Sequence, residues 1–242
     1  KNEMVRKFSE KRSSKYNYVE IGYMIIKKKN LFKEYKNINC NLSEILRDLT
    51  KKRQVFAYKC IGTYYSISDK KRLLVTEKYL KPKKIILIDR DGVINFKAKK
   101  ARYINFWSEF FFIPRVYKSL KKLSNAGYKF IIISNQAGIG RGETKLVQLK
   151  KIHQNMIKKF KKDNIHILKI YYCPHNWNEN CTCRKPKPGM LLKASEEYYL
   201  RLENTVFVGD DNRDLMAAQN ANCNGILWKN NKKFQEIHDL VK

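Results

Sequence analysis

Ile85-Ile86-Leu87-Ile88-Asp89-Arg90-Asp91-Gly92-Val93-Ile94-Asn95 joins four consecutive apolar residues to two carboxylates one residue apart and then a glycine. Such an apolar run predicts a short strand buried on both faces, as at the centre of a parallel sheet. Past the strand the chain coils and Gly92 lets it turn, so Asp89 and Asp91 can face one crevice. Open α/β sheets bind ligands at the carboxyl ends of their strands. Taken alone, the motif is equally a strand followed by an acidic turn, and its partners downstream have to decide.

Strands and helices alternate from Ile85 onward. Lys129 to Ile133 is a second buried strand, entered from an amphipathic helix after Pro114 whose Val116, Leu120 and Leu123 recur at helical spacing and which Gly127 ends. A basic helix covers about residues 145 to 162, and further strands are expected near 165–172, 205–208 and 225–228. This alternation predicts an α/β fold, a doubly wound, Rossmann-like parallel sheet with right-handed crossovers. All five prolines lie at or after Pro82, so the polar Lys81-Pro82-Lys83-Lys84 is read as a domain junction. That gives a small α+β segment over 1–81 and the sheet domain over 82–242.

The 242 residues carry a net charge of +30, with 43% hydrophobic and 12% aromatic residues. That is enough apolar content for a core and argues against wholesale disorder. The lysines are spread along the whole chain with no arginine-rich block, which suits an A+T-rich coding bias and disfavours a nucleic-acid partner. A basic field would still attract an anionic sugar phosphate. No apolar run reaches the ~18 residues of a membrane span, and the charged start of the chain lacks a signal-peptide core, so no membrane partner is expected and the cytoplasm is the expected compartment. A chain beginning at Lys1 reads as a piece of a longer protein.

Three of the six cysteines crowd into Cys173-Pro-His175 and Cys181-Thr-Cys183. Cys173, His175, Cys181 and Cys183 make a closed three-thiolate, one-imidazole set, the donor chemistry of structural zinc. The second strand ends in Ser134-Asn135-Gln136-Ala137-Gly138, a hydroxyl followed by exposed backbone N–H groups able to hold a phosphoryl oxygen. Lys185 in Arg184-Lys185-Pro186 offers a cation, and Gly209-Asp210-Asp211 is another acidic turn at a strand end.

Taken in this order, Asp89-x-Asp91, Ser134, Lys185 and Asp210-Asp211 resemble the four motifs of the haloacid dehalogenase superfamily. The resemblance implies a phosphatase in which Asp89 is the nucleophile forming an aspartyl-phosphate and Asp91 is the general acid and base. Magnesium would be held by Asp89, the carbonyl of Asp91, and Asp210. Ser134 and Lys185 would bind the transferred phosphoryl oxygens. With the zinc loop directly before Arg184-Lys185-Pro186, residues 83 to about 230 look like the heptose 1,7-bisphosphate 7-phosphatase family and its histidinol-phosphatase relatives. That likeness implies hydrolysis of the 7-phosphate of D-glycero-D-manno-heptose 1,7-bisphosphate, a lipopolysaccharide precursor. Arg184 would contact the second phosphate, and Asn95, the loop Phe96 to Lys100, and Ser134, Asn135, Gln136 and Ala137 would line the substrate site. Asp211, also placed at the substrate, departs from the family's usual lysine and is expected to tighten the magnesium site instead.

Residues 19–26 and 41–80 resemble the tail of a sugar-phosphate nucleotidyltransferase, without its glycine-rich nucleotide loop and with Ser66 where a metal-binding aspartate is common. This implies a nucleotidyltransferase domain in the longer parent chain; the alternative is an unrelated α+β docking domain. Two other functions stay open. One is a histidinol or other small-monoester phosphatase of the same fold, and the other is a basic, zinc-containing nucleic-acid-binding module.

Overall fold

A computed structural model of the chain describes residues 2–9, 18, 24–27, 35, 39–59, 64–99, 102–230 and 237–240. The chain divides into two units, Lys1–Tyr64 and Tyr65–Lys242. In the first, strand β1 (Asn2–Met4) pairs antiparallel with β2 (Phe56–Tyr58). Helix α1 (Leu42–Lys51) starts on a reciprocal cap, in which the Asn41 side chain accepts from the Glu44 N–H and Glu44 accepts from the Asn41 N–H. Of the segment resembling a transferase tail, residues 19–23 lie outside the described residues.

The second unit begins earlier than the proline junction implies. Helix α2 (Lys70–Leu80) belongs to it, and Lys83 Nζ donates to the Tyr199 carbonyl at 2.8 Å. Lys81 ends that helix, and the chain's own contacts divide it at Tyr65.

Five strands follow: β3 (Ile85–Ile88), β4 (Lys129–Asn135), β5 (Ile167–Cys173), β6 (Val206–Gly209) and β7 (Asn224–Leu227). All pair in parallel, in the order β5-β4-β3-β6-β7. The crossovers are α3 (Pro114–Asn125), α4 (Leu146–Lys162), α5 (Gly189–Tyr198) and α6 (Asn212–Asn220), and a short α7 (Ile237–Leu240) follows β7. Side chains alternate across the central strand. Ile86 and Ile88 join Val116, Leu120, Ile152, Met156 and Phe160 of α3 and α4 on one face, whereas Leu87 joins Leu191, Ala194, Ala217 and Ala218 of α5 and α6 on the other. Each isoleucine or leucine buried this way contributes on the order of 1.5–3 kcal/mol. Strand order reverses direction between β3 and β6, and the loops leaving their carboxyl ends part there to open a crevice.

Candidate active site

Asp89 leaves the end of β3 with its N–H bonded to the Val208 carbonyl of β6 at 2.8 Å, so it sits at the point of reversal. Lys185 reaches across from the loop before α5. Its ammonium lies 2.8 Å from Asp89 Oδ1 and 2.6 Å from Asp214 Oδ1, and donates to the Ile133 carbonyl at 3.0 Å. All three side chains are buried. Asp214, on the first turn of α6, accepts from the N–H groups of Asp210 and Asp211 at 3.1 Å each. This close approach needs Gly209, because a Cβ there would lie 2.2 Å from that of Asp214.

Asp89, Asp210 and Asp214 each present a carboxylate oxygen, all within 4.8 Å of one another. Asp210 Oδ2 pairs with Lys97 at 2.6 Å, while its Oδ1 is buried with no hydrogen-bond partner among the described residues. Three clustered carboxylates with an orphaned oxygen are the donor set of a hard divalent cation. Burial pushes Asp89 up to about 7, with Asp214 adding to the rise and Lys185 opposing it. Burial would lower Lys185, yet the two carboxylates outweigh it and raise the ammonium above its ordinary value.

The Asp91 side chain turns into a second buried network. Its carboxylate accepts from Arg90 Nη2 at 2.8 Å, Asn95 Nδ2 at 2.9 Å and Gln136 Nε2 at 2.8 Å. Gln136 also donates to Ser134 Oγ at 2.8 Å. Burial alone would raise Asp91, but Arg90 and the amide donors hold it below the usual carboxylate range. Arg90, 1% exposed, approaches His153 Nε2 at 3.1 Å, and burial followed by the Arg90 charge pushes that imidazole down to about 3. A neutral ring nitrogen can accept from the guanidinium.

Around this floor is a cleft of about 210 Å³ walled by Lys97, Tyr103, Ala137, Trp177, Arg184 and Arg213. Arg184 Nη1 is buried without a partner among the described residues. The sequence places Asn95 and Asn135 at a substrate, but their amides have other work. Asn95 is 0% exposed behind Asp91, and Asn135 makes a reciprocal pair with the backbone N–H and carbonyl of Lys185, both at 3.1 Å. Asp211 caps α6 and grips the Arg213 guanidinium; it lines the same cleft but is not one of the three clustered carboxylates. Lys100 lies outside the described residues. Lys97 falls in the loop expected to line the substrate site, whereas Asp214, Tyr103, Trp177 and Arg213 were not anticipated. Only Asp214 carried a signal, as the fourth residue of an Asp-x-x-Asp helix-capping pattern.

Cys173 ends β5, and the loop beyond it returns Cys181 and Cys183. Sulfur–sulfur distances are 3.6 Å for Cys173–Cys181 and for Cys181–Cys183, and His175 Nδ1 lies 3.5 Å from Cys173 Sγ and 3.2 Å from Cys183 Sγ. Zinc–sulfur bonds of about 2.3 Å in tetrahedral geometry put ligand atoms about 3.5–3.8 Å apart, so the donor set fits zinc in kind and in size. The loop is tied to the cleft, since Lys187 Nζ donates to the Cys181 carbonyl at 2.8 Å and a Cβ on Gly189 would lie 2.4 Å from the Thr182 carbonyl oxygen.

A family model described as polynucleotide kinase 3 phosphatase matches residues 84–236. The D-glycero-alpha-D-manno-heptose-1,7-bisphosphate 7-phosphatase of Campylobacter jejuni is 39% identical over 150 residues, 62% of this chain and 84% of that protein. The beta-anomer 7-phosphatase of Helicobacter pylori is 34% identical over 172 residues, covering 66% and 98%. Among solved structures, the D,D-heptose 1,7-bisphosphate phosphatase from B. bronchiseptica, complexed with magnesium and phosphate, matches with a TM-score of 0.57 at 32% identity, over 60% of this chain and 79% of that one. Among the described residues no helix is long and apolar enough to cross a membrane.

Proposed function

From the premise that the chain belongs to the polynucleotide kinase 3 phosphatase family, we propose that this phosphatase of haloacid dehalogenase-like fold hydrolyses the 7-phosphate of D-glycero-D-manno-heptose 1,7-bisphosphate. The observation that carries the reading is the cleft, where Asp89 at a strand end clusters with Asp210, and where Asp210 Oδ1 and Arg184 Nη1 have no partner among the described residues.

In the first half-reaction a carboxylate oxygen of Asp89 attacks phosphorus, the ester P–O bond breaks, and Asp91, which must take up a proton before this step because its donors hold it as the anion, gives that proton to the departing sugar oxygen. In the second, Asp91 takes a proton from water as that water attacks the aspartyl-phosphate, releasing phosphate and restoring Asp89. The Arg90, Asn95 and Gln136 donors favour the Asp91 anion, the form the second half-reaction needs. Lys185 neutralises the floor and, with Ser134, holds the transferred oxygens; Asn135 fixes the Lys185 backbone and Asn95 orients Asp91. Arg184 meets the phosphate that is not transferred. Magnesium would be held by Asp89, Asp210 and the Asp91 carbonyl, with Asp214 beside them, and when bound it supplies charge neutralisation for the two anions that must meet. Cys173, His175, Cys181 and Cys183 would hold zinc in a structural role, fixing the loop that carries Arg184 and Lys185.

Phosphate release from both heptose bisphosphate anomers, fructose bisphosphate and histidinol phosphate is the test. The heptose bisphosphate should lead in kcat/KM and yield the 1-phosphate. A preference for histidinol phosphate, or turnover of none of the four, overturns the assignment.

A further inference from the structure

Lysines that look dispersed along the sequence are sorted by the fold. Between Pro114 and Ile170 there are 14 lysines and arginines and only two acidic residues, Glu143 and Asp163. Helices α3 and α4, which cover one face of the sheet, carry ten of those cations and no acid. On the opposite face α5 and α6 carry Lys193 and Arg213 against Glu196, Glu197 and Asp214. A coding bias toward lysine would load both faces alike, so composition alone does not account for the difference.

Both basic helices start at the carboxyl edge of the sheet and end at its amino edge, away from the catalytic cleft. The first half of α3 packs on the last turn of α4. Tyr117 of α3 stacks on Phe160 of α4 with ring centroids 5.5 Å apart, and its hydroxyl donates to Asp163. Asp163 also pairs with Lys159 at 3.1 Å. Its carboxyl is held below the ordinary range by the Tyr117 hydroxyl first, then by Lys159, with Lys121 of α3 contributing from across the interface. Lys118, Lys121 and Lys122 on α3 and Lys158, Lys161 and Lys162 on α4 are all exposed. Lys84 and Lys129, just before β3 and at the start of β4, extend the field along the same edge.

We propose that this face, formed by α3 and the carboxyl-terminal half of α4, binds the phosphodiester backbone of a nucleic acid. Val116, Leu120 and Leu123 of α3 and Ile152, Met156 and Phe160 of α4 are buried in the core, and Ile157 is the one large apolar side chain exposed beside the lysines of the carboxyl-terminal half of α4. A membrane-surface helix instead keeps an apolar stripe free to enter the lipid. What remains is a set of cations on a fixed frame, the electrostatic footprint of sequence-independent backbone binding. Its place at the far end from Asp89 separates it from phosphate capture in the cleft.

The full chain is titrated by fluorescence anisotropy against a fluorescein-labelled single-stranded DNA. Neutralising about four phosphates predicts an affinity falling about fifty-fold between 50 and 200 mM salt. The variant Lys121→Glu/Lys158→Glu/Lys161→Glu/Lys162→Glu should bind at least tenfold more weakly at the lower salt, with sugar-bisphosphate turnover and melting temperature unchanged. Should that variant melt early, glutamine at the same four positions serves instead. Lys193→Glu, on the opposite face, should bind like the parent chain. The proposal is overturned by absence of DNA binding at low salt, by a fourfold variant that binds like the parent, or by binding to anionic phospholipid vesicles in place of DNA.

Discussion

Replacing Lys185 by methionine tests the electrostatic core of the site. The ammonium is 3% exposed and lies within 2.8 Å of two buried carboxylates. Methionine keeps most of the volume but leaves Asp89 and Asp214 facing each other uncompensated, with Asp210 beside them. Removing one partner of a buried ion pair costs about 3–5 kcal/mol. For a protein of this size each kcal/mol lowers the melting temperature by about 2–4 °C, so the variant should melt roughly 6–20 °C early. A divalent cation should then recover more in the variant than in the parent, because the three carboxylates no longer have the lysine; saturation at about a hundred times Kd returns about 2.7 kcal/mol. The assay is a thermal melt in zinc-replete buffer, with and without magnesium, alongside turnover, which should fall by at least about a hundredfold. A variant that melts within about 2 °C of the parent without magnesium, or one stabilised less than the parent by magnesium, refutes the idea that Lys185 balances the carboxylates.

Asp89→Asn should lower kcat by more than about a thousandfold with an unchanged circular-dichroism spectrum, and turnover within about tenfold of the parent would mean another nucleophile. Cys181→Ser should release one zinc per chain by elemental analysis and lower the melting temperature; a parent protein free of zinc would sink the assignment. Asp89, raised to about 7, is protonated below that pH and must lose its proton to accept magnesium. Apparent magnesium affinity measured calorimetrically should therefore weaken by up to about tenfold per pH unit below 7 and level off above it, whereas a flat profile from pH 6 to 8 contradicts it. A chain starting at Tyr65, the first residue of the second unit, should keep the phosphatase activity, because every residue invoked lies in that unit; a loss beyond about tenfold would make the first unit part of the active enzyme.

The sheet was readable because its strands are buried on both faces, and a run such as Ile131-Ile132-Ile133 leaves little else to form. Asp89, Ser134 and Asp210 were readable because a strand end followed by a polar residue has one place to go in a doubly wound sheet, whereas Lys185, in the loop before α5, was reached through the resemblance. What the sequence hides is direction. Asn95 and Asn135 sit within motifs, yet one turns inward to Asp91 and the other to the Lys185 backbone, a choice made by packing. Asp214 was missed because its role depends on an approach through Gly209 that no spacing reveals. The same holds for the lysines: spread along the sequence, many of them line two helices on one face of the sheet in the fold.

Asp211 draws these threads together. Where the resemblance leads one to expect a lysine, the carboxylate begins α6, its Oδ1 accepting from the Arg213 N–H at 3.0 Å and from Nε at 2.9 Å, and its Oδ2 from Nη2 at 2.9 Å. The Arg213 donors hold it below the ordinary carboxylate range, so it stays an anion. A helix-capping carboxylate of this kind is worth about 0.5–2 kcal/mol, and here the same group fixes a guanidinium on the cleft wall. The wall therefore keeps a cation, moved two residues along and tied to an anion, while Lys97 pairs with Asp210 and Arg184 Nη1 has no partner among the described residues. A lysine at 211 would add charge but remove the cap and release Arg213. The departure from the family pattern thus rearranges the positive charge facing a bisphosphate without removing it.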